Sequence, residues 1–482
     1  MLDRDVLRKA AAKGSKDEES ELNAVFSAIS IGQDSIDIID PDGLASSIGV
    51  LARLGAFGDD EVTLNTHRLT WEISLALGIF PASIDALYRK ISMNTVRNFT
   101  VPAMNMRAIA FQSARGVFHA MKELNVGAAI FELSRGEIGF TGQRPHEYAI
   151  SILCAAIAEG HVGPVFLQGD HFQISATRYA ENPEAEVEAV EALISEAVSA
   201  GFYNIDIDTS TLVDLSYDDV DAQQKPNYSL GAHFANFTRN IEPEGVTISL
   251  GGEIGEVGEQ NSTVEEVNAY LNGFESATPD NQPGMTNMSI QSGTRHGGNV
   301  LPDGTFGDMP IDFSLIGKLS AACRVPHGLA GCVQHGASML TLEKIAKLPD
   351  AMCIEVHLAA AFLNAVYDNL PEALVKEADN WAKKNFVEEW KPEWSEAQFL
   401  HHARRYPVGP FKHTWWNATD CHIDVRSAVY SAAISYFIAL RVENTQVLVV
   451  EETKHEPVKW MPQVVNANGK GGDENAIHDL AS

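Results

Sequence analysis

Hydrophobic and polar positions along the chain change rhythm twice. Up to about residue 95, apolar residues recur near helical spacing in "ESELNAVFSAISI", "PDGLASSIGVLARLGAF", "THRLTWEISLALGIF" and "SIDALYRKIS". Turn signals such as "PDG" and "GDD" separate these segments, so residues 1–95 are expected to form a helical N-terminal extension. From about residue 99, short apolar runs that close on polar or Gly residues alternate with longer helix-like segments. Eight runs read as strands: 100–106 "TVPAMNM", 128–134 "AAIFELS", 164–170 "PVFLQGD", 203–210 "YNIDIDTS", 246–254 "VTISLGGEI", 288–293 "MSIQSG", 330–336 "AGCVQHG" and 352–358 "MCIEVHL". Between the third and fourth, "ENPEAEVEAVEALISEAVSAG" carries Asn-Pro at its start, acids in its first half and Gly at its stop, the marks of a helix. Such alternation demands right-handed βαβ units and a parallel sheet. Eight of them fit a closed (β/α)8 TIM barrel, expected over 96–365. Residues 366–450 turn helical and aromatic and read as a C-terminal helical cap, and 451–482 read as a Gly- and Asn-rich tail.

Composition narrows the partners. The 482 residues hold 45% hydrophobic and 21% charged side chains, with 35 basic against 65 acidic groups and a formal charge of −30. This balance argues against nucleic acid, which needs a basic face, and against an anionic membrane surface. A phosphorylated small molecule stays open, because a few local cations and backbone N–H groups suffice for it. No uncharged apolar stretch reaches the ~18 residues of a membrane span. The charged start "MLDRDVLRKAAAKGSKDEESE" lacks an apolar signal core, so a cytoplasmic location is expected. Cys154, Cys323, Cys332, Cys353 and Cys421 show no CxxC spacing and are expected as reduced thiols.

In a barrel of this kind, chemistry sits at the C-terminal strand ends. The first run delivers Asn105 there, the second Ser134-Arg135-Gly136, the third Asp170-His171, and the fourth Asp206 and Asp208. The fifth delivers Glu253, the sixth is followed by Arg295-His296-Gly297, the seventh ends at His335-Gly336, and the eighth carries Glu355 and His357. Three imidazoles and a carboxylate on one rim form a ligand set for a catalytic zinc with an open position. No lysine stands at these strand ends, so a Schiff base is not expected. His401, His402, His413 and His422 lie in the helical cap and read as structural.

With these residues in this order, the region from about 90 to 365 resembles the class II, metal-dependent fructose-bisphosphate aldolases, the family that also includes tagatose-bisphosphate aldolase. The resemblance implies a zinc ion, or another divalent metal, on His171, His296 in "TRHGGN" and His335 in "VQHGAS". It places Glu253 of "EIGEVGEQN" at the metal site and Asp208 beside it as a further ligand. Asp170 becomes the catalytic acid, which calls for surroundings, or a contact with the substrate, that raise its pKa. Asn105 of "VPAMN", Ser134, Arg135, Gly297, Gly336, Ser338, Glu355 and His357 are the expected substrate contacts. The same resemblance implies a monovalent cation as a second cofactor, a small-molecule sugar or sugar-phosphate substrate, and a homo-oligomer. The reaction would cleave a ketose between C3 and C4, as in fructose 1,6-bisphosphate, with the metal acting as Lewis acid and Asp170 moving the proton at the C4 oxygen.

Three departures bear on the substrate. The family's small-residue strand-7 motif reads His335-Gly336-Ala337-Ser338-Met339 here, and an Ala is disfavoured where φ is positive. The eighth strand carries Glu355 and His357, both on the inner face by alternation. The acid expected after the fifth strand is Asn261, with Glu256 and Glu259 nearby. Two other readings therefore stand beside an aldolase. One is a metal-dependent sugar epimerase that cleaves and re-adds to the other face. The other is a non-catalytic accessory subunit, similar to those of tagatose-bisphosphate aldolase in "GEIGFTGQRPHEYA", against which the three histidines argue.

Overall fold

The computed structural model describes residues 2–32, 35–93, 96, 98–255, 260–294, 300–305, 307–453 and 457–460. Eight parallel strands close a barrel: β1 (Val101–Asn105), β2 (Ile130–Ser134), β3 (Gly163–Gln173), β4 (Asn204–Asp208), β5 (Ser249–Glu253), β6 (Asn287–Ile290), β7 (Gly331–Gln334) and β8 (Cys353–Leu358). Each strand pairs with its sequence neighbour, and β8 returns to β1 through Glu355 opposite Val101 and His357 opposite Ala103. All eight expected strands are present. The helix expected between β3 and β4 runs from Pro183 to Ala200, with the Asn182 side chain accepting from the Ala185 N–H and Gly201 leaving at φ +99°.

Strand β3 departs from regular pairing. Gly169 lies opposite Ile205 and Phe172 opposite Ile207, so three steps on β3 match two on β4. The extra residue is a β-bulge, and His171 within it has φ +42°. Strict alternation would send Asp170 and His171 to opposite faces of the wall. The bulge lets both consecutive side chains engage groups of the barrel interior.

The N-terminal extension is mainly helical, but it also contributes an antiparallel ribbon (Ile29–Ile31 with Ile36–Ile38) and a strand, Ile79–Ala82. The helical rhythm of "THRLTWEISLALGIF" stops at Ala76, and Gly78 at φ +73° redirects the chain into that strand. Strand Ile79–Ala82 pairs in parallel with the start of β3, from Ile79 opposite Gly163 to Ala82 opposite Phe166. β3 meets β4 only from Gln168 onward, so the inserted strand fills the gap below. The Asn204 side chain pins it, donating to Ala82 O at 3.2 Å and to Leu167 O at 2.9 Å while accepting from Ile84 N at 2.8 Å. The next helix, Asp85–Ser92, crosses the barrel floor, where Arg89 donates to the carbonyls of Gly284 (2.7 Å) and Met285 (3.2 Å).

The helix Thr419–Leu440 is long and apolar enough to cross a membrane by length and composition, with mean hydropathy 1.3 in its most apolar window. Here it packs along the helix Ala110–Leu124 of the barrel. All five cysteines are free and buried.

His67, on the extension helix Asp60–Ala76, meets His146 of the barrel helix Pro145–Glu159 edge-on, with ring centroids 4.8 Å apart. Burial pushes His67 down to about 4 from the ordinary 6.5. A histidine held neutral in the fold favours folding above pH 6.5 and loses that contribution as pH falls toward 4. The stability advantage of the wild type over His67→Gln should therefore shrink by about 3 kcal/mol across that interval, as read from denaturant midpoints. A pH-independent difference would contradict the buried neutral histidine.

Candidate metal and acid–base centre

The bulged segment of β3 faces the ends of β4, β5 and β7. His171 Nδ1 lies 3.0 Å from Asp208 Oδ2 and 2.9 Å from Glu253 Oε2. Its Nε2 lies 2.9 Å from His335 Nδ1, and His335 Nε2 lies 2.9 Å from Ser289 Oγ on β6. Two ring nitrogens at 2.9 Å admit at most one hydrogen between them, so at least one presents a lone pair there. His171, Glu253 and His335 each offer one donor atom, all within 4.8 Å of one another. Two imidazole nitrogens and a carboxylate oxygen suit zinc or another borderline divalent cation. The residues present thus fit the metal that the sequence implies. Asp208 is not in that group. Its Oδ2 accepts from His171 and from Gln173 Nε2 at 2.6 Å, and its Oδ1 accepts from Ser210 Oγ at 2.8 Å, so it orients the His171 ring from outside the group. His296, Gly297, Arg295, Glu256 and Glu259 lie outside the described residues.

Asp170 points to a second cluster. Its Oδ1 lies 3.0 Å from His357 Nδ1, and its Oδ2 lies 3.4 Å from Asn105 Nδ2. His357 Nε2 lies 2.8 Å from Glu355 Oε1, and His357 Nδ1 is 3.3 Å from Glu132 Oε2. Gln168 Nε2 donates to Glu355 Oε1 at 2.7 Å and to Glu132 Oε2 at 3.2 Å, and the Tyr88 hydroxyl donates to Glu355 Oε2. Asp206 is drawn into the same cluster, 3.8 Å from His357 Nε2. Packing here is close: a Cβ on Gly251 would come within 2.1 Å of Asp206 Oδ1 and 2.4 Å of Asn287 Oδ1, so β5 needs glycine at that point. Glu355 and His357 do face inward, and the Asp170–His357 hydrogen bond makes them part of the acid–base centre.

The surroundings of Asp170 are the reverse of those expected. Burial alone would raise its pKa, but the imidazoles of His171 and then His357 outweigh that and hold it well below the usual carboxylate range. His357 is moved up: burial opposes its charge, while the Glu132 and Asp170 carboxylates favour it more strongly. Asp170 therefore rests as a carboxylate beside a cationic imidazole.

The expected substrate contacts divide. Asn105 is buried and donates to Glu137 Oε2 at 2.5 Å, and Arg107 also pairs with Glu137. Ser134 closes a capping box with Glu137 at the start of the helix Arg135–Thr141. Arg135 is committed to Glu186, with Nη2 at 3.2 Å from Oε2, and donates to the Gln173 carbonyl at 2.6 Å. In the strand-7 motif the positive φ falls on Gly336 (+66°), and Ala337 begins the short turn that follows. Ser338 Oγ accepts from Ala359 N at 2.8 Å. Asn261 is exposed.

Glu132, Gln168 and Tyr88 were not anticipated. Period-two counting from Ser134 and Asp170 would have placed the first two on the inner face. Tyr88 carried no such signal, because it comes from the extension, 267 positions away from Glu355.

A family model described as fructose-bisphosphate aldolase class-II matches residues 90–404. No curated protein matches the chain. Among solved structures, the fructuronate-tagaturonate epimerase UxaE of Cohnella laeviribosi is 12% identical, covers 86% of this chain and 90% of its own, and gives a TM-score of 0.52. A probable tagatose 6-phosphate kinase from Sinorhizobium meliloti is 16% identical over 70% of this chain and 100% of its own, with a TM-score of 0.52. The fructose-bisphosphate aldolase of Campylobacter jejuni is 15% identical over 76% and 96%, with a TM-score of 0.45.

The backbone of His171 supplies a test of the bulge. A side chain at φ +42° is strained and glycine is not. In metal-free protein, His171→Gly should be more stable than His171→Ala by about 1 kcal/mol. Equal denaturation midpoints would mean that the backbone there is relaxed.

Proposed function

From the premise that this chain belongs to the class II fructose-bisphosphate aldolase family, we propose that it is a divalent-metal-dependent lyase performing reversible aldol cleavage of a ketose between C3 and C4, with zinc as the metal. The observation that carries this is the adjacency of the His171–Glu253–His335 donor group to the ionised Asp170, whose Oδ1 lies 3.7 Å from His171 Nε2. A divalent cation bound there supplies a Lewis acid for the ketose carbonyl and its neighbouring hydroxyl. Asp170, held as a carboxylate by His357, takes the proton from the C4 hydroxyl as the carbon–carbon bond breaks and returns it in the condensation direction. His171 and His335 would hold the ion through facing nitrogens that lie 2.9 Å apart, and Asp208 orients the ring of His171.

The substrate side favours a second outcome for the same chemistry. Arg135, one of the expected substrate contacts, is occupied by Glu186, and the buried carboxylates Glu132, Asp206 and Glu355 lie under the site. These features support an unphosphorylated ketose or sugar acid. The likeness to a fructuronate-tagaturonate epimerase covers 86% of this chain, which is more than the family model spans. If the aldehyde half is retained, turned and re-added, cleavage at C3–C4 becomes epimerisation at C4. On either outcome the barrel is the catalytic unit of a cytoplasmic homo-oligomer that acts on a small sugar, with neither nucleic acid nor membrane as a partner.

Zinc-loaded protein should carry a stoichiometric divalent ion that His171→Ala loses. Asp170→Asn should keep the metal while turnover falls by roughly 10²–10⁴-fold. Incubation with fructose 1,6-bisphosphate and, separately, with fructuronate reads the outcome. Trapped aldehyde marks an aldolase, and a changed ketose configuration without trapped aldehyde marks an epimerase. Protein without bound metal would contradict the proposal.

A further inference from the structure

We propose that the N-terminal extension completes the active site, with Tyr88 acting through Glu355 and His357 as a positioning residue for Asp170. This rests on the reading above that Asp170 handles the substrate proton.

The contacts form one unbroken series. The Tyr88 hydroxyl donates to one oxygen of Glu355, and the other oxygen lies 2.8 Å from His357 Nε2. The opposite ring nitrogen, His357 Nδ1, lies 3.0 Å from Asp170 Oδ1. An imidazole held through both nitrogens cannot rotate without breaking one bond, so the orientation of Glu355 sets the ring, and the ring sets the carboxylate of Asp170. Gln168 Nε2, 2.7 Å from the same Glu355 oxygen that faces His357, fixes that oxygen from a second side. Its partner oxygen has the Tyr88 hydroxyl.

The location of Tyr88 argues for this role over simple packing. Tyr88 and Glu355 are both fully buried, with 0% exposure each. A phenylalanine would fill the same space at the barrel floor without a buried hydroxyl, so the polar atom needs a reason. The helix that carries it is held by the strand bases: Arg89 on the Gly284 and Met285 carbonyls, Ile84 N on Asn204 Oδ1, and Ser83 Oγ accepting from Ser249 N at 3.0 Å. The strand Ile79–Ala82 wedged beside β3 delivers this helix to the floor. A segment outside the (β/α)8 repeat is thus anchored on three strands, with one hydroxyl directed at the underside of the acid–base centre.

The test uses full-length, zinc-loaded protein and the ketose that the wild type turns over. Tyr88→Phe should lower kcat by about ten- to a hundred-fold while leaving KM within about twofold and the bound zinc unchanged. A purely structural tyrosine would lower the melting temperature and leave kcat alone, and that result would overturn the inference. Should Tyr88→Phe fail to fold, Glu355→Gln, which keeps the shape of the side chain, is expected to show the same split between kcat and KM. If the wild type turns over neither fructose 1,6-bisphosphate nor fructuronate, the functional reading has failed rather than this one. The ¹⁵N shifts of the His357 ring, assigned by their loss in His357→Gln, then decide. A change in Tyr88→Phe supports the positioning series, and identical shifts overturn it.

Discussion

In a regular strand, Asp170 and His171 would face opposite sides of the barrel wall, and only one could reach the interior. The extra residue in β3, taken up with His171 at φ +42°, removes that restriction. A left-handed backbone at a non-glycine residue costs on the order of 1–2 kcal/mol, which the surrounding contacts must offset. They are available: His171 lies against Asp208, Glu253 and His335, and Asp170 against His357. The His171–Glu253–His335 donor group and the Asp170 carboxylate are adjacent because of one local irregularity in the strand.

Around that irregularity the interior is rich in acid. Glu132, Asp206 and Glu355 are buried beneath the centre, and His357 is the charged group they surround. Burial raises Glu132 and Asp206 well above the usual carboxylate range, and their like-charged neighbours add to this. Asp170 differs because it touches the imidazoles. The two environments separate carboxylates that hold protons from the one that stays ionised, which is how neighbouring acids come to play different roles. The floor of the barrel belongs to the same arrangement, since Tyr88 reaches it from the extension.

The barrel was legible because eight strands and their helices each carry a local signal: apolar runs of the right length, Asn-Pro starts and glycine stops. The convergence of His171, Glu253 and His335 was legible because they sit at strand ends, where sequence order fixes which end they occupy. The position of Asp170 beside His171 was legible, but not its ionisation, which depends on imidazoles from β3 and β8 that meet only in three dimensions. Arg135 was expected at the substrate and is paired with Glu186, 51 positions on. The strand Ile79–Ala82 was read as the end of a helix, because four residues after an amphipathic segment carry too little periodicity to declare a change. Its partner, the lower part of β3 that β4 leaves unpaired, exists only in the folded barrel.

The most direct measurement is anomalous diffraction at the zinc edge from crystals of the zinc-loaded protein. One strong peak is expected within about 2.0–2.1 Å of a ring nitrogen of both His171 and His335, with Glu253 facing the same ion and Asp170 beside it but not bound. A peak elsewhere, or none between those two histidines, would contradict the assignment of the centre.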